Sequence, residues 1–204
     1  MTPYRTAVMA LLLALGGSAL ADKPDVFRNE TAGFQVVKPA GWTYATAAQN
    51  LENLKAIKLS DAEFQAAMQK YATAPLVVMT KFKEPYADVN PSFKVTLKPY
   101  GPMKGLSPVQ LISLVIPQFQ KAFRDFELVQ PPVEVEVAGI KSSYARMNYT
   151  MDTQTGEKFS LTSELWIVPR GDYFFMLGAG TRRDERNAKR GEIAEILKTV
   201  RVEL

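Results

Sequence analysis

The sequence predicts an α+β fold in which an antiparallel β-sheet is flanked by helices. The second half of the chain holds strand-length runs joined by tight turns, so neighbouring strands are expected to pair as hairpins. Stretches with apolar residues spaced as i, i+3, i+4, i+7 lie before and after that group of runs, not between each pair of them. Strands grouped in this way build an α+β sandwich, whereas strict strand–helix alternation would build a parallel βαβ sheet.

Taken in order, residues 33–39 read as a short strand halted at Pro39, and Gly41-Trp42-Thr43-Tyr44 as a turn into a second strand. Between Gln49 and Ala72 the period becomes helical. Leu51, Leu54 and Lys58 mark one stretch; Phe64, Ala67, Met68 and Tyr71 mark a second, with Ser60 and Glu63 as its capping box. Residues 76–82 and 92–98 are extended, and the second run alternates apolar with polar, predicting a strand covered on one face only. A helix is expected to start at Ser107-Pro108, with serine as cap and proline in the first turn. Its apolar face is Ile112, Val115, Ile116, Phe119 and Phe123, and Pro117 predicts a kink or a break.

Further along, Val133, Val135 and Val137 alternate with Glu134 and Glu136. Runs 143–152 and 158–168 flank a turn at 152–156, and run 173–180 follows Pro169-Arg170-Gly171-Asp172, giving an antiparallel meander. The chain closes with a helix from about Asp184, carrying Ile193, Ile196, Leu197 and Val200 on one face, and a short extended run at 200–202.

The N-terminus has a different pattern. Arg5 precedes the apolar residues 7–15, then Gly16, Gly17 and Ser18, then the small-x-small triplet Ala19-Leu20-Ala21. This is the pattern of a cleavable signal peptide over residues 1–21, and the apolar run falls short of the roughly 18 residues that span a bilayer. Residues 22–204 are then expected to form one domain in the periplasm or outside the cell, with no membrane span after cleavage. The chain has no cysteine, so it is not a lipoprotein and forms no disulfide. Its formal charge of +4 falls to +3 without Arg5, and acidic and basic residues are interspersed, which argues against a nucleic-acid partner.

The chemistry is bounded by absences. With no histidine and no cysteine, the Ser-His-Asp triad, the Cys-His pair and nearly all zinc sites are excluded. There is no phosphate-binding loop, and Gly178-Ala179-Gly180 lacks the third glycine of a dinucleotide fingerprint, so no cofactor is expected. Lys141 with Ser142 or Ser143 is a formal Ser-Lys pair, but adjacent strand residues point to opposite faces. Glu134 with Glu136 and Asp152 with Glu157 are carboxylate pairs that read as solvent-facing charge rather than glycosidase or calcium chemistry. No catalytic or metal-binding residue is assigned, and the protein is not expected to be an enzyme.

Binding is the remaining class. Trp42 and Trp166 read first as strand residues of the core; the other reading is that, with Tyr44, they line a groove for a peptide or an apolar ligand. In Tyr173-Phe174-Phe175 at least one ring must face away from its neighbours, so a helix or a partner has to cover it. Segment 182–190 concentrates five basic side chains, Arg182, Arg183, Arg186, Lys189 and Arg190, against two acidic ones, and reads as the solvated start of the last helix or a docking patch. These eight residues are the candidate binding set. The leading expectation is an accessory protein that binds an envelope protein or a hydrophobic segment. The alternative is a small apolar ligand, of lipid type, held between the Ser107 helix and the sheet.

The opening 27–42, with Gly33-Phe34 followed by Pro39-Ala40-Gly41-Trp42, resembles the start of PsbP-like domains. The rest runs in a compatible order: an extended segment at 93–97, a Ser-Pro helix, a Gly-Asp turn before Tyr173-Phe174, and a last helix ending in Thr199-Val200-Arg201. The resemblance covers essentially the whole of 22–204, and only its opening motif is specific. It implies an α/β/α sandwich that acts by binding. Roles in that family include a photosystem II accessory subunit, a nuclear-transport factor that binds the Ran GTPase, and bacterial chaperones of hydrophobic segments. The family's metal-binding histidines have no counterpart here.

Overall fold

The computed structural model describes residues 24–59, 75–184 and 189–203. The expected signal peptide, the helical stretch at 64–71 with its Ser60 cap, and Arg186 lie outside the described residues.

The hairpin-rich half builds the centre. Strands β7 (Arg124–Val137), β8 (Ile140–Thr153), β9 (Lys158–Arg170) and β10 (Tyr173–Arg182) follow one another as antiparallel neighbours. The β7–β8 turn has both central residues left-handed, Ala138 at φ 52° and Gly139 at φ 77°, the geometry that matches the twist of a two-residue hairpin. Beyond β10 come β6 (Ser92–Pro99), β5 (Val77–Thr80) and β3 (Thr43–Tyr44), while β4 (Ile57–Lys58) pairs the far end of β8. A separate three-stranded sheet is formed by β1 (Asp25–Asn29), β2 (Phe34–Lys38) and β11 (Arg201–Val202).

Gly33 explains the start of the opening motif. It has φ 62°, and a Cβ there would lie 2.8 Å from both Arg170 Nη2 and the Glu203 carbonyl, so the turn before Phe34 and the segment at Glu203 close against each other only over glycine.

Helix α1 (Ala47–Ala56) starts at a Thr46 cap closed by Gln49, and α2 (Pro108–Ala122) at a Ser107 cap closed by Gln110. Replacing Ser107 with alanine is expected to lower stability by about 1 kcal/mol, seen as a lower urea midpoint at unchanged m. Helix α2 runs through Pro117 without a break. Its buried face is Leu111, Ile112, Ile116 and Ala122, with Val115 and Phe119 partly buried. Helix α3 (Arg190–Lys198) buries Ile193 and Ile196.

The large sheet is packed on both faces. On one, α2 covers Ala145, Met147, Leu165, Ile167 and Phe174. On the other, α3 and the small sheet cover Met79, Phe93, Val95, Trp166, Val168, Phe175 and Leu177. Residues one apart in a strand go to opposite cores, as the two-residue period requires. The architecture is the expected α+β sandwich, with three corrections. The expected helical position Lys58 lies in β4, because the helix ends at Ala56. The last helix starts at Arg190 and not near Asp184, and Arg182 completes β10. Strand β6 is not bare on its polar side: Thr96 is 5% exposed and Lys94 is partly buried. Among the described residues no helix is long and apolar enough to cross a membrane.

Candidate binding cleft

Helix α2 covers only part of its face of the sheet. Beside its C-terminal end an open cleft of about 530 Å³ remains, walled by α1, by Phe119 and Phe123 of α2 and its cap, and by the loop before β6. Strand register sets the floor. Lys94 lies opposite Gly178 on β10 and Val78 on β5; Ser92 lies opposite Gly180 and Thr80; Ser163 on β9 lies opposite Gly180. Two glycines at i, i+2 leave the middle of this floor without side chains. A Cβ on Gly178 would meet nothing within 4 Å among the described residues, so the hollow is space and not a tight backbone crossing.

The lining is mostly apolar: Leu54, Ile57, Met147, Met151, Phe159 and Leu161 surround the polar floor. Tyr149 stacks on Phe123 with ring centroids 4.1 Å apart, and its hydroxyl meets Ser163 Oγ at 2.8 Å. Burial raises the Tyr149 pKa. The rim is tied by Glu84, whose Oε1 accepts from Asn53 Nδ2 at 3.0 Å and Asn90 Nδ2 at 2.9 Å, joining α1 to the loop. Lys94 stands apart, since no described residue accepts a hydrogen bond from its ammonium or forms an ion pair with it. Burial first, and then neighbouring Lys98, pull its pKa below the ordinary lysine value.

The opposite face holds a smaller recess of about 280 Å³ beside α3. Three of its polar groups, Tyr144, Glu164 and Arg190, are bound to one another. Glu164, 8% exposed, accepts from Tyr144 Oη and receives two bonds from Arg190, at 3.3 and 3.1 Å. Burial and then the Glu164 carboxylate push the Tyr144 pKa up to about 12. A second clamp holds the same helix: Glu192 Oε2 receives Trp42 Nε1 and Lys81 Nζ, each at 2.7 Å.

No family model matches the chain, and no curated protein matches it in sequence. Solved structures do match. The cyanobacterial PsbP protein CyanoP of Synechocystis sp. PCC 6803 superposes with a TM-score of 0.51 at 12% identity, over 94% of this chain and 99% of that one. The chain has the PsbP-like fold. LpqN of Mycobacterium tuberculosis, involved in cell envelope biogenesis, superposes with a TM-score of 0.50 at 9% identity, over 91% of this chain and 88% of that one.

In this PsbP-like fold the sequence-predicted residues do not form one surface. Tyr173 is 45% exposed, but Phe174 lies in the α2 core 5.1 Å from Tyr100, and Phe175 in the α3 core 4.9 Å from Phe34. The chain itself therefore covers both rings. Tyr173 and Arg182 sit at opposite ends of β10, about 30 Å apart at the ordinary strand rise. The described basic side chains of the set are engaged: Arg182 with Asp88 and Asp184, Arg183 with Glu127, Lys189 with Glu192, Arg190 with Glu164. Ser142 and Ser143 are buried and donate to the carbonyls of Ile140 and Pro108, while Lys141 is exposed and paired with Glu134. The formal Ser-Lys pair thus diverges. Asp152 is paired with Arg124, and among the described residues no group of three or more Asp or Glu side chains converges.

Sequence reasoning offered a pocket between the Ser107 helix and the sheet as its alternative, but assigned to it none of the residues that line this cleft. Its one available signal was the pair of glycines in an otherwise regular strand, which the reading treated as an incomplete dinucleotide motif.

Proposed function

We propose that this chain is a secreted, non-enzymatic accessory protein that shelters an apolar guest in the cleft between α1, the end of α2 and the sheet. The observation that carries this reading is a mostly apolar cleft of about 530 Å³ on a sheet that is otherwise packed on both faces. That volume lies within the roughly 300–1,000 Å³ typical of small-molecule sites. Among the described residues the exposed large apolar side chains, Val26, Tyr44, Leu114, Val133 and Tyr173, lie on five different elements. A folded protein partner needs a contiguous face of roughly 800 Å², so a lipid-sized guest or one apolar segment suits this surface better. The N-terminal signal pattern and the envelope role of LpqN support an extracytoplasmic site of action.

The test is titration of the full chain with the fluorescent apolar probe N-phenyl-1-naphthylamine. Saturable binding near one site per chain is expected. Leu54→Glu, which puts a charge into the partly buried α1 wall, is expected to weaken it at least about tenfold. Absence of saturable binding, or binding indifferent to Leu54→Glu, overturns the reading. A protein partner crosslinked through Tyr173 and unaffected by Leu54→Glu would instead support docking on the β9–β10 turn.

A further inference from the structure

Lys94 is the unexplained group of the cleft. Its strand neighbours across the floor are Gly178 and Val78, so neither offers a charge or a hydrogen-bond acceptor from its side chain. The carboxylates on the rim are already engaged, Glu84 with Asn53 and Asn90, Asp88 with Arg182, and Glu157 with Thr155. Glu164 directs its carboxylate to the opposite face, toward Tyr144 and Arg190. An ammonium sunk beside apolar side chains, with no counter-charge among the described residues, is costly, and a lysine is a compact point charge suited to one anionic group. Next to it the Gly178 position is open among the described residues, leaving room for a guest to approach the ammonium along the floor.

We infer that the cleft selects a long-chain monoanionic amphiphile with a carboxylate head, the head meeting Lys94 Nζ and the chain lying over Leu161, Met151 and Phe159. This rests on the cleft being the binding site. The carboxylate supplies the missing charge-assisted hydrogen bond, and the apolar lining takes the tail.

The experiment is calorimetric titration of the full chain with dodecanoate and, separately, with the uncharged dodecanol. The wild type is expected to bind dodecanoate roughly 10- to 100-fold more tightly than dodecanol, the worth of one hydrogen bond to a charged group. Lys94→Met is expected to bind both alike, at about the dodecanol affinity, because only the head-group contact is lost. Gly178→Val fills the hollow at a strand position that favours β-branched residues; it is expected to melt no lower than the wild type and to bind neither. Equal wild-type affinities, with binding still lost in Gly178→Val, overturn the role of Lys94 and leave the cleft reading standing. A dodecanoate preference that survives Lys94→Met also overturns it. Failure of both amphiphiles to bind the wild type overturns both readings.

Discussion

Replacing Phe175 with alanine is expected to destabilise the protein by about 3–5 kcal/mol, the range for truncating a buried aromatic, while Tyr173→Ala two positions away stays within about 0.5 kcal/mol. Phe175 is fully buried, packs 4.9 Å from Phe34, and links the central sheet to the small sheet. Its removal opens a cavity where two layers meet, and β2 cannot follow because its partners β1 and β11 hold it in register. Tyr173 is exposed at the hairpin end. Urea unfolding of the three proteins checks this: a large drop in midpoint at similar m for Phe175→Ala alone is the expected pattern. Equal losses at both positions would mean that Tyr173 is not a surface residue.

Glu164→Leu is expected to cost about 2 kcal/mol. Breaking a buried ion pair by removing one partner costs about 3–5 kcal/mol, but the Arg190 side chain is 43% exposed and regains water, which reduces the loss. Tyr144 is less forgiving, since its half-buried hydroxyl loses its acceptor. A double-mutant cycle with Arg190→Met measures the coupling, and the double variant is expected to be more stable than the sum of the single losses predicts. The first turn of α3 should also show faster amide exchange in Glu164→Leu, since Arg190 is the helix's first residue. Additivity in the cycle would show that Glu164 and Arg190 act independently.

The strands were legible where alternation was strong. Runs 143–152, 158–168 and 173–180 lie inside β8, β9 and β10, and the serine cap of α2 is where Ser107-Pro108 places it. The first part of β7 was hidden by Pro131-Pro132, which remove two amide donors and read as a break. They are tolerated because β7 pairs only with β8 and its ladder shifts register between Gln130 and Val133. Strand β1, Asp25–Asn29, shows no alternation because none of its residues is fully buried. The lining of the cleft was illegible for a different reason. It is made by residues from β4, β5, β6, β8, β9, β10, two helices and the loop before β6, so no spacing in the sequence reports it. Lys94 looked like the solvent side of an alternating strand, but in the fold it is a partly buried cation on the floor of the cleft.

The irregular half of β7 has a consequence beyond its own pairing. An open sheet edge is a template on which a strand from another molecule can add, and long regular edges seed aggregation. Here that outer edge carries Pro131 and Pro132, a slipped ladder, and the glutamates Glu134 and Glu136. An incoming strand would find missing donors, a bend, and repelling carboxylates. At the other end of the sheet β3 is two residues long, too short to template growth. A protein with an open, mostly apolar cleft is thereby kept from extending its own sheet into a fibre.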